Sequence, residues 1–479
     1  MESRNIFQEG GGWQEGEVAH SPSPPLSADG RRGGGAPGGA MRVNRDNRAG
    51  QVGASGAFEV LEAALVRAAV RRVQEVLPLP TVVNALLKTA QDPYASLSRL
   101  ADTVLRDQAL TARVLRLVNS PFYGLAQPVG TVSQAVMLLG LDKIKHLALA
   151  VSLAEGLFRH SGLSFGRKAL WHHSQACGVA TSLAAQAAGY PLPEEALVIG
   201  LLHDIAKVFW AEVFPERWQA ALTAIREEGQ EPLAAEKAYL TVPHAQVGAW
   251  MLETWGLPPL FVQAVQAHHH PDGPAAEAPA PTLSRALYLG NLMAHLLNLG
   301  DGGHSRLPPA PAELLRALCL TPEGVVDLLR KLPGALARFL GEMELDPPDM
   351  EGLKNLTGLL QGRPVLWLQD GGDPEPAGWA LKALAPHTAA IPWEALPRSQ
   401  PSPGGPAPLL FWSGADPAGV LKAVQENQAL YPTATLALFI TLPGQGVRLP
   451  PPPPLRMQVF GPDWRLEDFA RVLFAGKRV

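Results

Sequence analysis

Between positions 172 and 270 the chain carries histidines in several apolar, helix-like segments, and imidazole nitrogen with carboxylate oxygen is a donor set that divalent transition metals take. In VIGLLHDIAK, His203 and Asp204 are neighbours about 100 degrees apart around a helix axis, so both can reach one ion at the helix rim. Lys207 follows one turn later on the face of His203. A cationic amine beside a metal-binding pair is what a phosphoryl oxygen would meet if it also ligated that metal. LWHHSQACGVA offers His172 and His173, and AVQAHHHPDG adds His268, His269 and His270. VPHAQVGAWML offers His244, with Gly248 one turn on, where the missing side chain lets another helix approach. A single histidine on an apolar helix face is most often a core residue, and His146, His172, His270 and His295 read that way or as surface.

These residues need helices to hold them. From Ala57, FEVLEAALVRAAVRRVQEVL sets apolar side chains three and four apart with arginines opposite, which predicts an amphipathic helix ending at Pro78. The period continues over 81–160, with breaks at Asp92-Pro93, Ser120-Pro121 and Gly140. It then runs through 168–183, 194–214, 215–229, 233–255, 258–269 and 281–299, so an all-helical globule is expected. The Asn119-Ser120-Pro121 turn is expected to cap helices, and Arg113 and Arg116 to form a solvated face.

The 479 residues carry 40 Lys+Arg against 44 Asp+Glu, a net charge of -4, which argues against finding nucleic acid or an anionic membrane by bulk charge. No basic helix-turn-helix segment is present. At 47% hydrophobic the chain can build substantial cores, and its length is a prior for two to three domains. The longest apolar run falls far short of the ~20 residues a bilayer span needs. Cys177 and Cys319 exclude a disulfide framework and read as buried thiols in a reducing, cytoplasmic setting.

Composition divides the chain. Residues 1–55, Gly- and Pro-rich with few large apolar side chains, read as a disordered arm, and Met41 offers an alternative start. Residues 56–300 form the expected all-α domain, in halves 56–165 and 166–300. A helical connector over 301–361 is cut into short helices by Pro308, Pro311, Pro322, Pro333 and Pro347-Pro348. Over 362–479, PVLWLQD, TAAIPW, APLLFWSG, TLALFITL and RMQVFG alternate with helical segments, which predicts a smaller α/β domain with a parallel sheet. Pro443 to Pro454 reads as an extended surface loop.

The chain resembles the HDOD family, the HD-related output domain, over about residues 70–275, and through it the HD-GYP branch of the HD metal-dependent phosphohydrolases. LPLP opens the amino-terminal part, followed by LADTVLRDQALTARVLRLVNSPFYG and VSQAVMLLGLDKIKHLALAVSL. Asp107, Leu110, Thr111, Asn119, Ser120 and Gly140 fall in register with the family pattern. The resemblance puts His173 at the first histidine, His203 and Asp204 at the HD pair and Lys207 at the lysine of the following turn. His244 takes the next histidine, and His268 with His269 the paired ones. Gly290-Asn291 stands where the superfamily carries its last Asp, Ala169 where some multi-metal relatives have Glu, and the G-Y-P triplet is absent. The C-terminal part resembles a degenerate receiver domain: Asp370 ends its first strand, but Ser413-Gly414 stands where a phosphate acceptor is needed and Gly461 where the lysine would lie.

The resemblance implies a cytoplasmic bacterial signalling protein acting by conformational change, with signalling proteins or a second copy of itself as partners and neither nucleic acid nor membrane. It implies a divalent metal, iron, manganese or zinc, on His173, His203, Asp204, His244, His268 and His269. The alternative is an active metal-dependent phosphohydrolase, in which Asp204 orients a hydroxide and Lys207 grips phosphate.

Overall fold

Apolar side chains repeating at helical spacing dictate the architecture from residue 61 to 348. The computed structural model describes residues 61–91, 103–121, 123–156, 167–271, 281–304 and 312–348, the isolated residues 379, 383 and 384, and five strands. The amino-terminal helices are α1 (61–71), α2 (Val73–Val76), α3 (Thr81–Gln91), α4 (Gln108–Val118), α5 (Val132–Leu139) and α6 (Leu141–Gly156). There follow α7 (Arg167–Ala187), α8 (Pro193–Leu202), α9 (Ile205–Val213), α10 (Pro215–Arg226), α11 (Pro232–Leu240), α12 (His244–Thr254), α13 (Pro259–Ala267) and α14 (Pro281–Leu296). Last are α15 (Ala312–Ala317) and α16 (Pro322–Met343).

Local chemistry sets the ends. Asp107 caps α4 by accepting from Leu110 N at 3.0 Å, Thr131 caps α5, and Thr321 caps α16 just before Pro322 at its first position. The Asn119 amide does more than cap: it donates to Val129 O at 2.9 Å and accepts from Val129 N at 2.6 Å, closing the loop after α4. One continuous core joins these helices, including Val114, Ile144, Val198, Phe209, Phe261, Leu289 and Leu336.

Two glycines set how closely the central helices pack. A Cβ on Gly200 of α8 would lie 2.6 Å from Gly178 Cα and 2.9 Å from Cys177 O of α7. A Cβ on Gly290 of α14 would lie 2.6 Å from Thr181 N. The backbones of α8 and α14 therefore rest directly on α7, a distance no larger residue permits.

Several expectations are corrected. Residues 194–214 do not form one helix, because the chain turns at His203-Asp204 between α8 and α9. Pro333 does not divide helices but lies inside α16, whose buried stripe Val325, Leu329, Leu332, Leu336, Leu340 and Met343 offsets the ~3 kcal/mol an interior proline costs. Arg113 and Arg116 are not a solvated face: Arg113 is buried, and Arg116 donates to Glu342 O at 3.0 Å and to Glu344 Oε1 at 2.8 Å, fastening the end of α16 to α4. Cys177 is buried as expected, but Cys319 is exposed, at a left-handed φ of 54° just after α15.

The expected receiver-like α/β domain is also corrected. Such a domain needs helices laid on both faces of its sheet. Among the described residues beyond 348 only 379, 383 and 384 are helical, and the described structure is predominantly α-helical. The strand-like runs appear as β1 (Val365–Gln369), β2 (Thr388–Pro392), β3 (Leu409–Gly414), β4 (Thr435–Ile440) and β5 (Arg456–Phe460), paired in parallel in the order β2-β1-β3-β4-β5. Strand and helix alternation in a sequence records local preference, which does not by itself assemble a covered sheet. The arm 1–55 and the proline run 443–454 lie outside the described residues. Among the described residues no helix is long and apolar enough to cross a membrane.

Gly200→Ala is expected to destabilise the chain by about 3 kcal/mol through overpacking, a fall of roughly 6–10 °C in melting temperature followed by far-ultraviolet circular dichroism. Gly341 of α16, whose Cβ would meet nothing within 4 Å, is the matched control. Gly341→Ala is expected to leave stability unchanged or raise it by up to ~1 kcal/mol.

Candidate metal centre

The chain break between α8 and α9 places the two central residues. His203 closes α8 and Asp204 precedes α9, so their side chains leave the backbone at a turn with both helices behind them. From α7, which Gly178 and Gly200 bring against α8, His173 enters with its Nε2 3.8 Å from Asp204 Oδ2. His203 Nε2 lies 3.3 Å from the same oxygen. On the other side His244, the first residue of α12, puts Nε2 3.2 Å from Asp204 Oδ1. A Cβ on Gly248, one turn on, would come 3.2 Å from Val265 Cγ1, so the missing side chain lets α13 approach. At the end of α13, His268 and His269 complete the group, with Nε2 atoms 3.3 and 2.9 Å from His244 Nε2.

Two sets of three donors result, His173–His203–Asp204 and His244–His268–His269, each with its ligand atoms within 4.8 Å of one another. That spread is about twice a metal–ligand bond of ~2.0–2.6 Å, so each set fits around one ion. Asp204 stands between them with one oxygen toward each. All six sequence-selected ligands are therefore brought together, and all but His269 are buried. Lys207 is there too: its ammonium donates to Asp204 Oδ2 at 2.7 Å and to Gly302 O at 2.7 Å.

Hydrogen bonds on the outer nitrogens orient the rings. A carbonyl only accepts, so Nδ1 of His203, 2.8 Å from Gly200 O, and Nδ1 of His268, 2.6 Å from Val265 O, carry protons and turn Nε2 toward the cluster. His244 Nδ1 lies 2.7 and 2.8 Å from the Glu236 carboxylate, which also accepts from His244 N. That is a carboxylate–histidine pair of the kind that orients a ligand and raises its basicity. Nε2 of His173, Nε2 of His203 and Oδ1 of Asp204 are buried without a hydrogen-bond partner. The donor set fits a divalent cation.

Electrostatics follow burial first. Burial, with the neighbouring imidazoles, holds His173, His268 and His269 well below the ordinary histidine range. Burial would lower His203 as well, but the Asp204 carboxylate carries it up to about 10. Burial opposes charge on Asp204 too, yet His203 and Lys207 hold its carboxyl well below the usual range. For His244, burial is outweighed by Glu236 and the pKa is raised.

The cluster extends beyond the expected residues. His295, expected to be core or surface, packs tilted against His173 with ring centroids 4.6 Å apart, and His304 stacks on His295 at 4.7 Å. Burial lowers His295 to about 4 and puts His304 well below its ordinary value. Asn291 is buried with Oδ1 unpartnered, one turn before His295 on the same face of α14. His146 and His172 are buried and His270 is exposed. Sequence reasoning missed Glu236 and His304. A buried acid eight positions before a histidine has no periodic mark, and His304 sits alone beyond the Gly302-Gly303 pair.

A family model described as the HDOD domain matches residues 76–271. An uncharacterized protein of Treponema pallidum (strain Nichols) is 25% identical over 239 residues, which span 50% of this chain and 45% of that protein, so the chain covers less than half the length of this relative. A crystal structure from Shewanella amazonensis, provisionally described as a phosphohydrolase, shares 23% identity at a TM-score of 0.44, covering 57% of this chain and 96% of that one. The structure of an HDOD domain protein with unknown function from Geobacter sulfurreducens shares 26% identity at a TM-score of 0.42, covering 62% of this chain and 95% of that one. The six converging side chains all fall within the matched span, and the chain carries an HDOD domain over residues 76–271.

Proposed function

We propose that this is a bacterial signal-transduction protein whose HDOD domain binds a divalent metal through His173, His203, Asp204, His244, His268 and His269 and works by conformational change and protein interaction. The observation that carries the metal is the convergence of three imidazole nitrogens at one point. His244 and His268 direct their Nδ1 atoms outward, to Glu236 and to Val265 O, and turn their Nε2 atoms toward each other at 3.3 Å, with His269 Nε2 2.9 Å from that of His244. Imidazole nitrogens gathered this closely need a cation among them, and a metal held by all three would serve where a single proton bridges only one pair. Iron, manganese and zinc all accept this nitrogen and oxygen set.

The burial of the site supports regulation over turnover. A catalytic metal keeps a coordination position open to substrate. Here His173, His203, Asp204, Lys207, His244 and His268 are at most 3% exposed. Lys207, the group a phosphohydrolase would turn toward phosphate, instead spends its ammonium on Asp204 and the Gly302 carbonyl. A metal seated among α7, α9, α12 and α13 would tie those helices into one body, so loading or loss of the ion would change how rigidly the domain presents its surface.

Purified full-length chain reconstituted with manganese, iron or zinc is expected to retain metal through gel filtration. Asp204→Asn, which alters the ligand between both sets, is expected to fall below about 0.1 ion per chain. A wild-type value that low would remove the metal from the proposal. Metal at a hundredfold excess over its Kd is expected to stabilise the fold by ~2.7 kcal/mol. Glu236→Gln, which keeps the shape but withdraws the charge behind His244, is expected to weaken metal affinity about 10- to 100-fold. Hydrolysis of a generic phosphodiester by the metal-loaded chain, lost in Lys207→Ala, would replace the regulatory reading with the enzymatic one.

A further inference from the structure

A cleft away from the imidazole cluster has the construction of a ligand site. It opens between the end of α4, the middle of α7, the start of α8 and the second half of α16, with a volume of about 80 Å3. Its walls are apolar, with Leu117, Val179, Leu183, Leu197 and Phe339 prominent among them. At one end stands Glu194, only 3% exposed. Its Oε1 accepts from the Tyr123 hydroxyl at 2.9 Å, but its Oε2 is buried with no hydrogen-bond partner. A buried carboxylate oxygen left unsatisfied is costly, and such groups in native structures commonly mark a missing donor. Carboxylates accept only, so the donor must bring N–H or O–H, and the charge favours a cation.

We propose that this cleft binds a small, largely apolar molecule carrying one protonated amine, its ammonium on Glu194 and its apolar body against Leu183, Leu197 and Phe339. The other charges on the rim are consistent. Burial raises the Glu342 carboxyl to about 7 against the pull of Arg338 one turn away on α16, and Arg338 is itself exposed to water, so the buried Glu194 oxygen is the acceptor left for a ligand. An anion would meet two carboxylates. The volume holds roughly five to eight non-hydrogen atoms at 10–15 Å3 per water-sized group, the size of a short aralkyl or alkyl amine. α16 lies beyond the residues matched by the family model, so one wall of this site belongs to the chain outside its HDOD domain. None of the lining residues is a candidate metal ligand, and the metal reading can fail without affecting the cleft.

The test uses the full-length chain with benzylamine, benzyl alcohol and benzoate as probes, read by hydrogen–deuterium exchange. Benzylamine is expected to slow exchange over 194–202 and 332–343, benzyl alcohol to act only at higher concentration, and benzoate to have no effect. Glu194→Gln is expected to weaken benzylamine at least about tenfold, the size of one charge-assisted hydrogen bond. Ala335→Phe, which fills the cleft from the α16 side, is expected to abolish the protection, and His203→Ala to leave it intact. If Glu194→Gln loses its helical circular dichroism, Ala335→Phe and the comparison of amine with benzoate on the wild type decide the matter. Equal protection by benzylamine and benzoate, no protection by either, or protection that survives Ala335→Phe would each overturn the assignment.

Discussion

The contact on which the rest depends is backbone against backbone, where Gly178 of α7 meets Gly200 of α8. Helix axes ordinarily stand 8–10 Å apart because side chains hold them there. Removing both side chains at one crossing lets the helices close further, and the end of α8 is then delivered beside the turn of α7 that carries His173. His203 and Asp204 sit just past that end. The same device, Gly290 on the Thr181 turn, lays α14 beside α8 on the adjoining face of α7 and brings His295 to His173. The imidazoles converge because the small residues elsewhere on these helices permit it.

Once gathered, the ligands pose an electrostatic problem. One carboxylate, Asp204, lies between the two sets of imidazoles beside one ammonium, with a second, Glu236, behind His244, all out of water. Burial penalises every charge there, so the neutral form is favoured for His173, His268 and His269, while Asp204 keeps its charge through His203 and Lys207. Outer hydrogen bonds to Gly200 O, Val265 O and Glu236 then turn the Nε2 atoms inward. A buried polar network of this kind is stable only when each member has a partner, and several here have one on the outer side alone.

Much of this was legible in the sequence. The helical period from Ala57 to 299 was readable because helices announce themselves by spacing, and the six candidate ligands because the histidines around His203-Asp204 and Lys207 resemble the HDOD pattern. The break at His203-Asp204 was not readable, since VIGLLHDIAK is apolar on either side and its one glycine, Gly200, lies within α8 rather than at the break. Pro333 misled for the opposite reason: it looks like a boundary, yet about six turns' worth of neighbouring packing is not visible in one residue. Arg113 and Arg116 looked solvated because their partners, Glu342 and Glu344, lie more than two hundred positions away. Glu236 escaped notice because its partner is set by the turn between α11 and α12. For the C-terminal strands, the run pattern was legible, but the helical cover a receiver-like domain requires was an inference from alternation alone.

The segment after α14 folds back onto α7 in a way that makes it a clasp. Asn298, Gly300 and Gly303 all take left-handed backbone angles, a Cβ on Gly300 would collide with His173 N, and Asp301 N is bonded to Ala169 O at 2.9 Å. Because Gly302 O also receives the Lys207 ammonium, peeling this segment away would strand a cation in the interior with half its partners gone. The lid over the cluster and the charge balance beneath it are therefore mechanically one part: neither can move unless the other moves with it.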